Sequence, residues 1–164
     1  MTQMIRPQLL SAENFAPFGD VIETRGHGRV INYGQTERFH DLARIDTQKE
    51  GGRPLVNIFR STPLSVPIKI EILERHPLSS QAFIPLSANP FLVVVAPPGP
   101  LDESGIAVFQ ARSDQGVNYR AGTWHHYSLA LNGVSDFLVI DRGGVGDNCD
   151  EVRLKHPFLI APIG

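Results

Sequence analysis

The sequence predicts an all-β domain, a β-sandwich or a closed barrel, with a short helical turn near its N-terminus. Three observations carry this. About ten short runs of strand-forming residues are separated by turn signals. The 13 prolines and 15 glycines are spread along all 164 residues instead of pooling in one linker. No long amphipathic helix and no internal repeat interrupts the pattern. Without a break in composition, residues 1–164 read as a single domain, long enough to bury a sizeable core.

Taken in order, residues 10–18 begin as a helical turn capped by Ser11 and stopped by Pro17 and Gly19. Val21 and Ile22 make a short strand. A polar loop follows at 25–29, with His27 between two glycines and expected in solvent, and then a second strand at 30–33. Arg38, His40 and Leu42 would share one face of an extended segment, towards either substrate or solvent. After a polar loop at 46–54 come strands at about 55–60 and 66–74, with Pro63 in the turn between them. Residues 91–96 are a β-branched run fit for a strand buried on both faces, stopped by Pro97, Pro98 and Pro100. Residues 106–111 form a further strand, and 114–123 are turn-rich with a brief extended centre. In 124–131 alternation puts His125, Tyr127, Leu129 and Leu131 on the apolar face and Trp124, His126 and Ser128 on the other. Asn132-Gly133 predicts a two-residue hairpin leading into a strand at 136–142. Gly143, Gly144 and Gly146 then release the chain into a tail that contains Pro157 and Pro162.

The stretch 68–86 is the most informative. Ile68, Ile70 and Ile72 share one side of a strand, and a period of two carries Glu74 and His76 onto that side, while Lys69, Glu71 and Arg75 face solvent. A carboxylate and an imidazole at the inward end of an apolar strand read as the start of a pocket; the alternative is a frayed edge with both groups solvated.

Composition narrows the function. Fifteen Lys and Arg against 17 Asp and Glu leave no basic field for nucleic acid or an anionic membrane surface. Twelve of the fifteen are arginine, a bias that suits carboxylate recognition. Cys149 is the sole cysteine, so no internal disulfide and no thiolate metal site can form. The first residues lack the apolar core of a signal peptide, and no later run has the length of a membrane span, so a cytoplasmic location is expected.

Glu74, His76 and Gln81 in one segment and His125 in another stand at the spacing of the two cupin motifs. The first of these motifs carries His-x-His, four residues and then Glu; the second carries a Pro-x-Gly turn with a His three residues after the glycine. Glu74 occupies the place of the first histidine, His76 that of the second and Gln81 that of the glutamate. Gly122 and His125 match the later motif, with Arg120 in place of its proline. The resemblance implies a cupin-like β-barrel of jelly-roll type. Two imidazoles, one carboxylate and a neutral amide form an acid/base site without a cofactor, His76 and His125 titrating near neutral pH. The alternative is a divalent metal at Glu74, His76, Gln81 and His125, with Gln81 as a weak ligand.

The resemblance then narrows. The run Glu74-Arg-His-Pro-Leu-Ser-Ser-Gln-Ala-Phe-Ile-Pro-Leu86, Gln115-Gly-Val-Asn-Tyr119, Trp124-His-His126, the run from Asp136 through Asp141 and Arg142 to Gly144, Asn32-x-Gly34 and Glu37-Arg-x-His40 are similar to the ureidoglycolate lyase family. That likeness covers nearly the whole chain. It implies a cytoplasmic homodimer acting on the small molecule (S)-ureidoglycolate, which is split into glyoxylate and urea in allantoin degradation. Elimination needs the hydroxyl proton removed and the departing nitrogen protonated. One of His76 and His125 would be the base, oriented by Glu74, and the other would protonate urea. Arg38 or Arg142 would grip the carboxylate bidentately, and Asp141 and Gln81 would hold the ureido group, with Asn32, His40 and Tyr119 as further contacts. A metal-dependent cupin dioxygenase or isomerase on another small acid is the alternative enzyme. A carboxylate-sensing module is a third reading, and 164 residues leave it no room for a DNA-binding helix-turn-helix.

Overall fold

A computed structural model describes residues 1–163. Strands β1 (Gln3–Ile5) and β2 (Gln8–Leu9) lead into one helical turn, α1 (Ala12–Phe15), where Ser11 and Asn14 cap each other through both backbone amides. Three short strands follow, β3 (Gly19–Ile22), β4 (Arg29–Ile31) and β5 (Thr36–Arg38). Then come β6 (Arg53–Ser61), β7 (Lys69–Arg75), β8 (Gln81–Pro85), β9 (Phe91–Ala96) and β10 (Ala107–Ala111). The last are β11 (Gly116–Tyr119), β12 (Trp124–His125), β13 (Leu129–Ala130), β14 (Ser135–Gly143) and β15 (Asp150–Ile160).

These strands build two large sheets. One has the order β1-β15-β7-β12-β9-β10-β2, with β13 also on β9; the other has the order β3-β11-β8-β14-β6. Between them lies a core of Val93, Val95 and Phe109 from the first sheet and Phe83, Val117, Phe137 and Val139 from the second, closed at one end by Phe15 and Phe18. A second cluster, with Leu92, Val94, Ala96 and Trp124, covers the other face of the first sheet. Strand β9 is therefore buried on both faces, as its unbroken β-branched run requires. This is the expected all-β, cupin-like barrel architecture, and the capped turn before β3 is where the sequence placed it. Among the described residues no helix is long and apolar enough to cross a membrane.

Four local expectations are corrected. Strand β4 ends at Ile31, because Asn32 and Tyr33 take left-handed backbone angles of 51° and 57° and turn the chain into β5. Asn132-Gly133 does not close a hairpin: β13 pairs with β9, while β14 pairs with β6 and β8, so this turn carries the chain from one sheet to the other. The tail is no tail but the longest strand, β15, which pairs with β7. Pro157 is tolerated there because it falls where the ladder shifts register, between Arg153 and Phe158, and no pairing amide is required. Finally, Ile70 and Leu73 lie in the same outer cluster although they are three residues apart. Strict alternation forbids this, so β7 exchanges faces between them, beside the same register shift.

Candidate functional site

That exchange decides where the polar end of β7 points. Ile68 and Ile70 face the outer cluster, so an uninterrupted period of two would have sent Glu74 and His76 outward with them. After the switch, Glu74 pairs directly with His125 of β12, and His125 pairs in turn with Val95, a member of the inter-sheet core. Residues opposed in an antiparallel pair share a face. Glu74 and His125 therefore face the barrel interior, and the inward expectation is met by a route that alternation alone did not supply.

The groups converge closely. The rings of His76 and His125 lie 5.1 Å apart, and His125 stacks face to face on Tyr119 at 4.2 Å with an interplanar angle of 2°. One Glu74 carboxylate oxygen is 3.9 Å from His76 Nε2 and 3.9 Å from His125 Nδ1, too far for a hydrogen bond. Strand β8 brings Gln81 opposite Tyr119. The Gln81 amide donates to Asp141 Oδ2 at 3.3 Å, and Asn57 donates to Asp141 Oδ1 at 2.9 Å. Beside His76 lies a cavity of about 290 Å³ whose walls include Gln81, Asp141, Arg142, Asn148 and Cys149. A cavity of about 620 Å³ elsewhere is lined by Ile68, Leu131, Ile160 and other side chains that do not titrate, so size alone does not locate the chemistry.

Hydrogen-bond partners fix which ring nitrogens carry protons. His76 Nδ1 lies 2.7 Å from the Asn148 carbonyl oxygen, and His125 Nδ1 lies 3.0 Å from that of His126. A carbonyl can only accept, so both Nδ1 atoms carry hydrogen, and in the neutral rings both Nε2 atoms hold the lone pair. Neither Nε2 has a partner in the protein, and neither does Gln81 Oε1, although all three atoms are buried. Buried polar atoms are rarely left this way without a ligand or water to meet them. Burial pushes the His125 pKa down to about 3, with neighbouring His76 adding to the shift and the bond to His126 opposing it. The expectation that both histidines titrate near pH 7 is thus wrong for His125: buried, it stays neutral and accepts hydrogen bonds rather than donating a proton. Burial, helped by Glu74, also holds the Tyr119 hydroxyl far above its ordinary pKa and raises the Cys149 thiol, whose Sγ is 3.8 Å from Glu74 Oε2.

Other sequence candidates divide sharply. Glu74, His76, Gln81, Tyr119, His125 and Asp141 are brought together. Arg142 reaches the cavity wall, but its guanidinium donates to the carbonyls of Lys49, Glu50 and Val145, which makes it chiefly a loop clamp. Asn32, Arg38 and His40 are exposed, the first two on or beside the separate two-stranded β4–β5 sheet. Asn32 donates to Thr36 Oγ1, and Asp41, at a left-handed angle of 54°, breaks the extended run that was to align Arg38 with Leu42. His126, expected outward, is buried, its N–H donating to the Val94 carbonyl. Sequence reasoning missed Ser79, Asn148 and Cys149; the glycines before 147 marked a release of the chain, and no local signal shows that the loop folds back onto His76.

Donor atoms of Glu74, His76 and His125 lie within 4.8 Å of one another. Two imidazoles and a carboxylate are a donor set of the kind a divalent cation accepts, although the His125 nitrogen closest to Glu74 is the Nδ1 already bonded to His126.

The profile of the family described as ureidoglycolate lyase matches residues 2–161. A Burkholderia mallei protein named ureidoglycolate lyase is 58% identical over 152 residues, covering 92% of this chain and 89% of its own length. Proteins of the same name from Burkholderia cepacia and Agrobacterium fabrum are 53% and 51% identical, covering 97% and 98% of this chain and 91% and 98% of theirs.

Proposed function

The chain belongs to the ureidoglycolate lyase family, and from that premise we propose that it eliminates urea from (S)-ureidoglycolate to give glyoxylate, as a carbon–nitrogen lyase in the cytoplasm. One observation carries the reading: three buried acceptors, His76 Nε2, His125 Nε2 and Gln81 Oε1, lack partners in a single polar cluster. Ureidoglycolate presents the matching donors on adjacent atoms, a hydroxyl and the N–H groups of a ureide. The family match favours this lyase over a dioxygenase or isomerase.

In the proposed mechanism His76 Nε2 takes the hydroxyl proton. The O–H electrons form the new carbonyl, the C–N bond breaks towards nitrogen, and the same proton passes from His76 to the departing urea. Glu74, 3.9 Å from Nε2, stabilises the imidazolium formed in between. His125, kept neutral by burial, accepts from the substrate and thereby orients it, and the Tyr119 ring stacked upon it fixes its plane. Gln81 Oε1 accepts a ureido N–H while its own amide is held by Asp141. A divalent ion held by Glu74, His76 and His125 would supply Lewis acidity at a substrate oxygen in place of the His76 base, since both roles need the same Nε2 lone pair. Arg142, which lines the cavity, is the cation this reading assigns to the carboxylate.

The test is to incubate purified protein with ureidoglycolate and measure glyoxylate, urea and ammonia, with and without excess chelator. Equal glyoxylate and urea are expected. Ammonia without urea would replace the lyase by an amidohydrolase, and activity abolished by chelation and restored by one metal would place an ion at the three donors. We also propose a homodimer. Its second copy would cover the outer face of β6 and β14, where Val56 and Ile58 are 70% and 56% exposed opposite Ile140 and Leu138.

A further inference from the structure

The two histidines are held in the same tautomer by unequal means. His125 Nδ1 donates to the carbonyl of His126, a residue whose own N–H is bonded to β9 at Val94 O, 3.0 Å away. That acceptor directly follows β12 and is tied to the sheet through its own amide. His76 Nδ1 donates to the carbonyl of Asn148, which sits in the irregular stretch between β14 and β15, where residues 144–147 are exposed. Backbone in such a loop is the least stable part of a fold. The carbonyl that sets the His76 proton therefore needs something else to hold it.

The Asn148 side chain supplies this. Its Oδ1 accepts from Leu78 N–H at 2.7 Å and its Nδ2 donates to Ser79 Oγ at 2.9 Å. Both partners follow His76 within three residues, so side chain and main chain of one residue grip the same short segment at three points. The far end of the loop is tied separately, Arg142 Nη2 donating to Val145 O at 2.8 Å.

We propose that Asn148 is a positioning residue: by clamping the loop to Leu78 and Ser79 it places its own carbonyl on His76 Nδ1, and so keeps the Nε2 lone pair turned towards substrate. This rests on the reading of His76 as the base. Without the side-chain contacts the carbonyl drifts, the other tautomer becomes accessible, and a proton on Nε2 blocks removal of the substrate's hydroxyl proton. Groups that orient a reactive imidazole in this way are worth about ten- to a hundredfold in activity.

Nitrogen-15 NMR of the histidine rings in ligand-free protein, alongside steady-state kinetics, tests it. In the parent protein His76 is expected as one Nδ1–H tautomer. In Asn148→Ala it becomes a mixture, and kcat falls about ten- to a hundredfold with little change in KM. Asn148→Asp restores a single tautomer and most of kcat, because a carboxylate still accepts from Leu78 N–H and takes the Ser79 hydroxyl as donor. Ser79→Ala, which removes one contact, gives a smaller tautomer shift in the same direction and decides the matter should Asn148→Ala not fold. An unchanged tautomer and unchanged kcat in Ser79→Ala and Asn148→Ala overturn the inference, as does loss of stability alone with full activity per folded molecule. Failure of the lyase reading is distinguishable: the parent protein would then release no glyoxylate, or His76→Ala would retain normal turnover, whatever the ring spectra show.

Discussion

Acid should strike this fold first at His125, and replacing that residue by glutamine measures how hard. In the native state burial brings its pKa down to about 3, against roughly 6.5 in the unfolded chain. The folded value is the lower one. As the pH falls below 6.5 the unfolded state takes up the proton and the native state does not, so stability is lost progressively until about pH 3, where both forms hold it. Between pH 7 and pH 4.5 the two binding curves separate by close to two pKa units, which at about 1.4 kcal/mol per unit is a loss of about 2 to 3 kcal/mol. Guanidinium chloride unfolding at both pH values, at one protein concentration, reads it directly. The parent and His125→Gln differ in this one titratable side chain, so the difference between their losses reports on His125 together with its coupling to His76 and His126. His125→Gln should lose about 2 to 3 kcal/mol less than the parent over this window. Equal losses would show that His125 is not held neutral by burial, and its role as an acceptor in the site would fall with that.

Gly122 adopts a left-handed angle of 82° and its N–H donates to the His76 carbonyl at 2.9 Å; since only Pro98 lies near an added Cβ, at 3.6 Å, Gly122→Ala should cost the backbone penalty of about 1 to 2 kcal/mol, seen as a lower thermal midpoint. Gln81→Leu removes a buried acceptor without a protein partner and should raise KM for ureidoglycolate about tenfold in a folded protein; an unchanged KM would free Gln81 from the ureido contact. Ile58→Lys places a charge on the exposed apolar face of β6 and should turn a dimer into a monomer in light scattering, whereas an unchanged dimer mass would locate the interface elsewhere.

How much of this was legible in the sequence can be told strand by strand. Short-range chemistry was enough for the Ser11 cap, for the strand buried on both faces at 91–96 and for turns at glycine and proline, because each depends on neighbours within a few residues. It failed at Asn132-Gly133, a sound turn signal whose flanking strands find other partners, and at β15, whose pairing with β7 lies in residues far away in sequence. Within the site, the spacing of Glu74, His76, Gln81 and His125 was visible, and so were Tyr119 and Asp141. Asn32 was chosen on likeness, and Arg38 and His40 on likeness together with an alternation that Asp41 interrupts; in the single chain all three stand exposed.

By itself the sequence determined the all-β class, the family and the chemical inventory of the pocket, since these depend on which residue types occur and at what spacing. Only the tertiary structure decided what those residues are. A change of face within β7, beside the register shift of its pairing with β15, leaves Glu74 inward against the alternation of its own strand. Burial beneath Tyr119 and between two sheets made His125 neutral, and a loop returning from residue 148 chose the tautomer of His76. Proton affinity and orientation depend on desolvation and on hydrogen-bond partners, and both are supplied by chain segments that meet only when the barrel closes.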